Sequence, residues 1–143
     1  EISNFARQGH YSHHNLRYWL YDEYLGFGAG ASSFYRGQRI TNTASVVNYN
    51  KALSTGLTPA QSVEIIDQNR GQEDFCFLGL RTAWGIQAKS FRDLFGTSVE
   101  DQFGSVIEEL CGQGLLQVVP GGYALTALGA KHGNYVFEQF IRD

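Results

Sequence analysis

Three of the four histidines, His10, His13 and His14, fall within five positions, and the last of them opens the run His14-Asn15-Leu16-Arg17-Tyr18-Trp19. Six residues thus gather an imidazole, a carboxamide, a guanidinium and two amphipathic rings. A flat macrocycle such as a porphyrin needs those groups: a nitrogen for its metal, ring faces to stack on and a cation for its carboxylates. His14 is the first candidate for a metal ligand, with His10 and His13 as substitutes. The same residues also suit an ordinary half-buried strand whose histidines are simply hydrogen-bonded. On composition alone both readings stand.

A second candidate follows at Tyr24-Leu25-Gly26-Phe27-Gly28-Ala29-Gly30-Ala31. Glycine at every second position leaves backbone bare on one side, as required where a ligand or another backbone comes close. The spacing is not a dinucleotide fingerprint, because the third glycine comes two residues after the second and no helix pattern opens from Gly30. A tightly packed strand and turn is the plainer expectation.

The elements that must position these residues fall into two groups. Two strand-like runs, Ile2 to Ala6 and Tyr11 to Leu20, precede the glycine run. A turn at Tyr35-Arg36-Gly37-Gln38 follows, then a helix capped by Asn42 or Thr43, packing through Val46, Tyr49 and Leu53 and stopped at Gly56. So few elements cannot hide both faces of a sheet, which predicts that residues 1–57 are cut from something larger or need a neighbour to fold.

Residues 58–143 read as a complete small domain. Thr58-Pro59-Ala60-Gln61 has the form of a helix start, while Val63 to Ile66 would serve as a short strand. Asp67 can cap a helix packing through Phe75, Phe77, Leu78 and Leu80, with Gly71 marking a fray or bend. A short helix through Phe91, Leu94 and Phe95 stops at Gly96. Another starts at Ser98 and carries Phe103, Val106, Ile107 and Leu110 as a core stripe. A hairpin turns at Pro120-Gly121-Gly122, and Thr126 caps a last helix packing through Val136, Phe140 and Ile141. The predicted class is α+β, with a winged-helix-like C-terminal domain.

Composition narrows the function. With 43% apolar and 17% charged residues the 143-residue chain is an ordinary globular one. No apolar run approaches the ~20 residues needed to span a bilayer, and no basic-then-apolar signal opens the chain, so a cytoplasmic protein is expected. Residues 1–57 carry five basic and three acidic groups, a net of +2, whereas residues 58–143 carry six and eleven, a net of −5. The helix before the hairpin, where a DNA-binding winged helix would place its reading surface, bears Glu100, Asp101, Glu108 and Glu109 without a lysine or arginine, which opposes contact with phosphates. No nucleic-acid partner is expected. Cys76 and Cys111 stand singly within predicted helices and read as small buried hydrophobes.

Taken together, Glu1 to Arg7, Gly9, the His14 to Trp19 run and Tyr24 to Ala31 resemble the C-terminal portion of the radical S-adenosylmethionine proteins of the oxygen-independent coproporphyrinogen III oxidase-like family. The H-N-x-x-Y-W signature resembles its haem chaperone branch. Phe77-Leu78-Gly79-Leu80-Arg81, Phe91 to Gly96, Gly114-Leu115-Leu116 and Leu125-Thr126 with Gly129 are similar to its C-terminal helical domain. The resemblance implies that residues 1–57 complete the edge of an incomplete β/α (TIM-like) barrel and that residues 58–143 flank it. It implies a haem-binding segment at His14, Asn15, Arg17, Tyr18 and Trp19, and delivery of haem to a recipient protein. By the same resemblance Gly28, Gly30 and Ser32 lie along a pocket for S-adenosylmethionine, although family members commonly have histidine at Ser32 and proline at Gln8. The family's [4Fe–4S] cluster needs three closely spaced thiolates, and this chain has two cysteines 35 positions apart. The cluster ligands are therefore absent, and catalysis is not assigned to this chain. The alternatives are the same region of a true coproporphyrinogen III oxidase, or a scaffold with no ligand of its own.

If the motif is a regular strand, alternation sends His14, Leu16 and Tyr18 to one side and Asn15, Arg17 and Trp19 to the other. His14 and Tyr18 would then face the ligand, with Asn15 and Trp19 supporting the fold.

Overall fold

A computed structural model describes residues 5–142. They form two compact units, one made of residues 5–21 with 68–142 and the other of residues 22–67. The expected boundary at residue 57 falls inside the second unit, because the chain after Thr58-Pro59 continues as a strand of the same sheet.

In residues 22–67, strands β1 (Ser32–Tyr35) and β2 (Gln38–Asn42) form a hairpin, helix α2 (Val46–Ser54) follows, and β3 (Ala60–Ile65) returns to pair with β2. The two-residue turn places Arg36 at φ 50° and Gly37 at φ 70°, the left-handed pair whose twist suits a hairpin. Both pairings are antiparallel, so the parallel strand–helix–strand pattern of a barrel is not seen here. The choice left open at residues 58–66 resolves as a strand: Arg39 and Glu64 face each other across the ladder and pair at 3.1 Å. Ser45 caps α2, its Oγ accepting from the Asn48 amide at 3.3 Å. The predicted caps fall elsewhere, Asn42 ending β2 and Thr43 receiving the Ser45 amide. Val46 and Leu53, expected to pack, are exposed.

The other unit runs through α1 (His13–Trp19), α3 (Gln68–Leu80), β4 (Ile86–Gln87), α4 (Ala88–Phe95), α5 (Val99–Gly112), β5 (Leu116–Val119), β6 (Gly122–Leu125), α6 (Ala127–Lys131) and α7 (Gly133–Glu138). Its strands pair in the order β4-β6-β5. Phe75, Cys76 and Leu80 of α3 meet Ile86, Phe91, Phe103, Ile107 and Leu110 in one core, closed by Leu116, Val136 and Phe140. Four of its rings stack edge-on or tilted: Phe75, Phe91, Phe95 and Phe103 lie within 4.9 to 6.3 Å of a neighbour. Gly96 ends α4 in the left-handed conformation, and Ser98 and Asp101 cap each other's backbone at the start of α5. Those hydrogen bonds to Ser98 hold the Asp101 carboxyl below its usual range. Gly71 marks no bend: it sits buried within α3, facing Tyr21 and Phe95.

Two expectations fail at the C-terminal end. The last helix breaks at His132 (φ −112°, ψ 29°) into α6 and α7, and Ile141 is exposed. The end of the chain is held instead by Arg142, whose guanidinium donates to Gln72 and Asn69 at 3.1 Å and to Gln102 at 3.3 Å, and lies 4.3 Å from the Phe103 ring centre. A polar anchor replaces the apolar one because α3 presents a buried Gln72 there.

Candidate functional site

The motif run is helical, not extended. Ser12 caps α1, its Oγ accepting from the Asn15 amide at 3.4 Å, and the chain leaves the helix through Tyr21 at φ 60°. Aromatic content favours strands only weakly, and here a serine cap with side-chain pairs at i, i+4 prevails. Of the expected first strand, Ile2 to Asn4 lie outside the described residues, and Phe5 and Ala6 belong to no regular element.

Helical spacing regroups the candidate residues. His14, Arg17 and Tyr18, at i, i+3 and i+4, share one face, whereas Asn15 and Trp19 share another. Arg17 therefore joins His14 and Tyr18, from which a strand would have separated it. His14 Nε2 and the Tyr18 hydroxyl are hydrogen-bonded at 2.9 Å, with the rings edge-to-face at 5.2 Å between centres. His14 and Arg17 are exposed and Tyr18 is half-buried, so the face opens to solvent. His10 and His13 are also exposed, His10 ahead of the helix and His13 at its first position.

Trp19 looks inward, to a residue the sequence reading did not single out. The Arg81 guanidinium carbon lies 5.1 Å from the Trp19 ring centre, 5.5 Å from Phe77 and 5.8 Å from Phe137. Three ring faces around one cation clamp α1 to the end of α3 and to α7. Arg81 had stood only as the last residue of a family-like run. Nothing in its local pattern announces that a helix 62 positions earlier supplies one of its rings.

No group of three or more His, Cys, Asp or Glu side chains that could hold a metal ion occurs among the described residues. A single imidazole can complete the coordination only of a metal that arrives with most of its ligands, as iron does in a porphyrin. A [4Fe–4S] cluster does not fit this chain. Burial pushes the Cys76 thiol far up, and partial burial raises that of Cys111, whereas cluster ligands must be thiolates.

The glycine run lies in the other unit and forms a turn, with Gly28 at φ 106° and Gly30 at φ 73°. The Gly28 amide donates to the Tyr49 hydroxyl at 3.0 Å and the Gly30 amide to the Thr43 carbonyl at 2.9 Å. Ser32 Oγ pairs with Thr41 Oγ1 at 3.3 Å. The donors expected to meet S-adenosylmethionine are engaged within the unit, and a Cβ added at Gly28 would meet nothing within 4 Å.

Residues 72–130 match the model of the HemN C-terminal domain. The whole chain is 36% identical to the haem chaperone HemW of Bacillus subtilis and 38% identical to that of Lactococcus lactis, spanning 38% and 37% of their lengths. It is 31% identical over 134 residues to the mouse mitochondrial radical S-adenosyl methionine domain-containing protein 1, covering 81% of this chain and 29% of that one. Among solved structures, Escherichia coli coproporphyrinogen III oxidase (HemN), a radical SAM enzyme, superposes with a TM-score of 0.63 at 16% identity, over 83% of this chain and 28% of its own. That match speaks for the fold alone. The helical and hairpin elements of residues 72–130 and the likeness that runs along the full chain lead to one conclusion: residues 72–130 match a HemN C-terminal domain, within a chain that is similar from end to end to part of the haem chaperone HemW.

Proposed function

We propose that this chain is the haem-holding part of a haem chaperone, taking a tetrapyrrole on the outer face of α1 and surrendering it to a recipient protein. One observation carries the reading: the helix brings His14, Arg17 and Tyr18 together on an exposed face. His14 would supply a nitrogen ligand, Nδ1 when Nε2–H donates to the Tyr18 hydroxyl, Tyr18 a ring wall that orients the imidazole, and Arg17 a cation for a propionate. Trp19 forms the inner side and seats the helix on Arg81, while Asn15 is exposed and its amide closes the Ser12 cap. An open face held by a single axial bond suits cargo that must be released. The names of the bacterial relatives support the same assignment.

Finer features belong to this proposal. Residues 68–142 are winged-helix-like, residues 22–67 contribute to the edge of a β/α barrel in a longer cytoplasmic protein, and the cluster and S-adenosylmethionine are held mainly by parts of that protein other than this chain. Gly28, Gly30 and Ser32 then contribute the shape of a turn rather than hydrogen bonds. No helix of the described residues is long and apolar enough to cross a membrane.

Titration with ferric haem, followed by absorbance, tests the reading. A saturable Soret shift is expected for the chain, with affinity falling on the order of tenfold in His14→Ala and less in Arg17→Ala. Both side chains are exposed, so circular dichroism should stay unchanged. Equal binding by His14→Ala removes that ligand, and the absence of any saturable shift in the parent chain sinks the proposal. The HemN C-terminal domain match over residues 72–130 supports a second reading, oxidation of coproporphyrinogen III by the longer protein, which substrate turnover would reveal.

A further inference from the structure

The part of the motif face that meets solvent is held by the part that does not. His14 is exposed, whereas Tyr18, one turn along α1, is half-buried, and its neighbour Trp19 is seated against Arg81. Of the two rings, Tyr18 is the fixed one and His14 the one that is held. The contact is specific in direction as well as in distance: the Tyr18 hydroxyl reaches Nε2, the imidazole nitrogen farther from the backbone, at 2.9 Å, and the rings stand edge-to-face at 87°.

An exposed imidazole otherwise turns about its side-chain bonds, and fixing such a side chain in advance spares an incoming ligand that cost. The hydrogen bond also divides the two nitrogens. When Nε2–H donates to the phenol oxygen, the bare lone pair is on Nδ1, to which no hydrogen bond is made among the described residues. A metal-bound histidine gains orientation and basicity when its other ring N–H donates to an oxygen.

We infer that Tyr18 is a positioning residue for haem capture: by accepting Nε2–H it holds His14 in the tautomer whose Nδ1 binds the iron. The inference rests on the haem-holding reading of α1. Nδ1 is the nitrogen nearer the helix, so His14 then holds the macrocycle close to α1, on the face it shares with Arg17.

Ferric haem titration of four chains tests it: the wild type, Tyr18→Phe, His14→Ala and the double variant. Phenylalanine keeps the ring and loses only the hydroxyl, so circular dichroism should stay unchanged. Tyr18→Phe should weaken haem binding on the order of tenfold, whereas in the His14→Ala background the same change should do nothing, because the hydroxyl acts through the imidazole. A second readout needs no haem. Proton–nitrogen correlation spectra of the haem-free chain, taken where the imidazole is neutral and with the His14 signals identified by their loss in His14→Ala, should show Nε2 protonated and Nδ1 bare in the wild type and a mixture of tautomers in Tyr18→Phe. Equal losses of affinity with and without His14, or no loss with His14 present, overturn the positioning role while leaving the helix face standing. A wild-type chain whose His14 carries its proton on Nδ1, or shares the tautomer balance of Tyr18→Phe, does the same. If the wild type gives no saturable Soret change, the haem reading fails and the positioning role with it.

Discussion

Residues 68–142 and residues 22–67 use their apolar side chains in opposite ways. In the first stretch Ile86, Phe91, Val99, Val136 and Phe140 are completely buried. In the second only Ser33 and Phe34 are buried, while Phe27, Val47, Val63 and Ile65 stand more than half exposed. In the first, three of the five helices have eight residues or fewer, yet together they wrap a small sheet and close a core. The second has three strands and one nine-residue helix, too few to cover both faces of a sheet. Stability should therefore reside in the aromatic core, with the glycine-turn unit contributing little of its own.

The largest effect that would sharpen this contrast is at the centre of the ring cluster. Phe91→Ala should cost about 3 to 5 kcal/mol in urea unfolding; a cost below about 1 kcal/mol would mean that the core is not closed as described. Next comes the anchor at the chain end. Arg142→Ala leaves the buried Gln72 carboxamide without its guanidinium partner, an expected loss of about 1.5 to 3 kcal/mol, measured the same way.

A pair of glycines provides a smaller, two-signed test. At Gly71 a Cβ would sit 2.9 Å from the Tyr21 hydroxyl and 3.2 Å from the Phe95 ring, so overpacking should outweigh the helix-propensity gain and Gly71→Ala should cost about 1 kcal/mol net. At Gly104 nothing lies within 4 Å, and Gly104→Ala should stabilise by about 0.5 to 1 kcal/mol. Like signs for the two would break the account of α3 packing. The smallest effect belongs to the open sheet: Ile65→Ser should change the unfolding free energy by less than about 0.5 kcal/mol. A loss several times larger would show that this face is covered in solution, and the contrast between the units would fall.

Much of the packed unit was legible in the sequence because its signals are local. Gly96 past the end of α4, the Ser98–Asp101 cap, the Phe103 to Leu110 stripe and the Pro120–Gly121 turn each depend on residues within a few positions of one another. The helix of the motif was not legible. Tyr, Trp and His have similar weak preferences for either state, and a serine cap at Ser12 is a single local signal beside them. Val46 and Leu53 have helical spacing, but spacing shows a face without showing whether anything covers it. The break at His132 lay hidden for a related reason, since the contacts of Arg142 with α3 and α5 do the holding that Ile141 was expected to do.

By itself, the order of residues determined the candidate chemistry, an imidazole, a guanidinium and two amphipathic rings in six positions, together with the caps and turns that depend on near neighbours. Tertiary structure alone decided which of those groups stand side by side. Helical winding moved Arg17 to the His14 face, and packing set Trp19 on an arginine from the end of another helix. Side-chain pairing across such distances follows from how elements pack, and no window of local sequence contains that information.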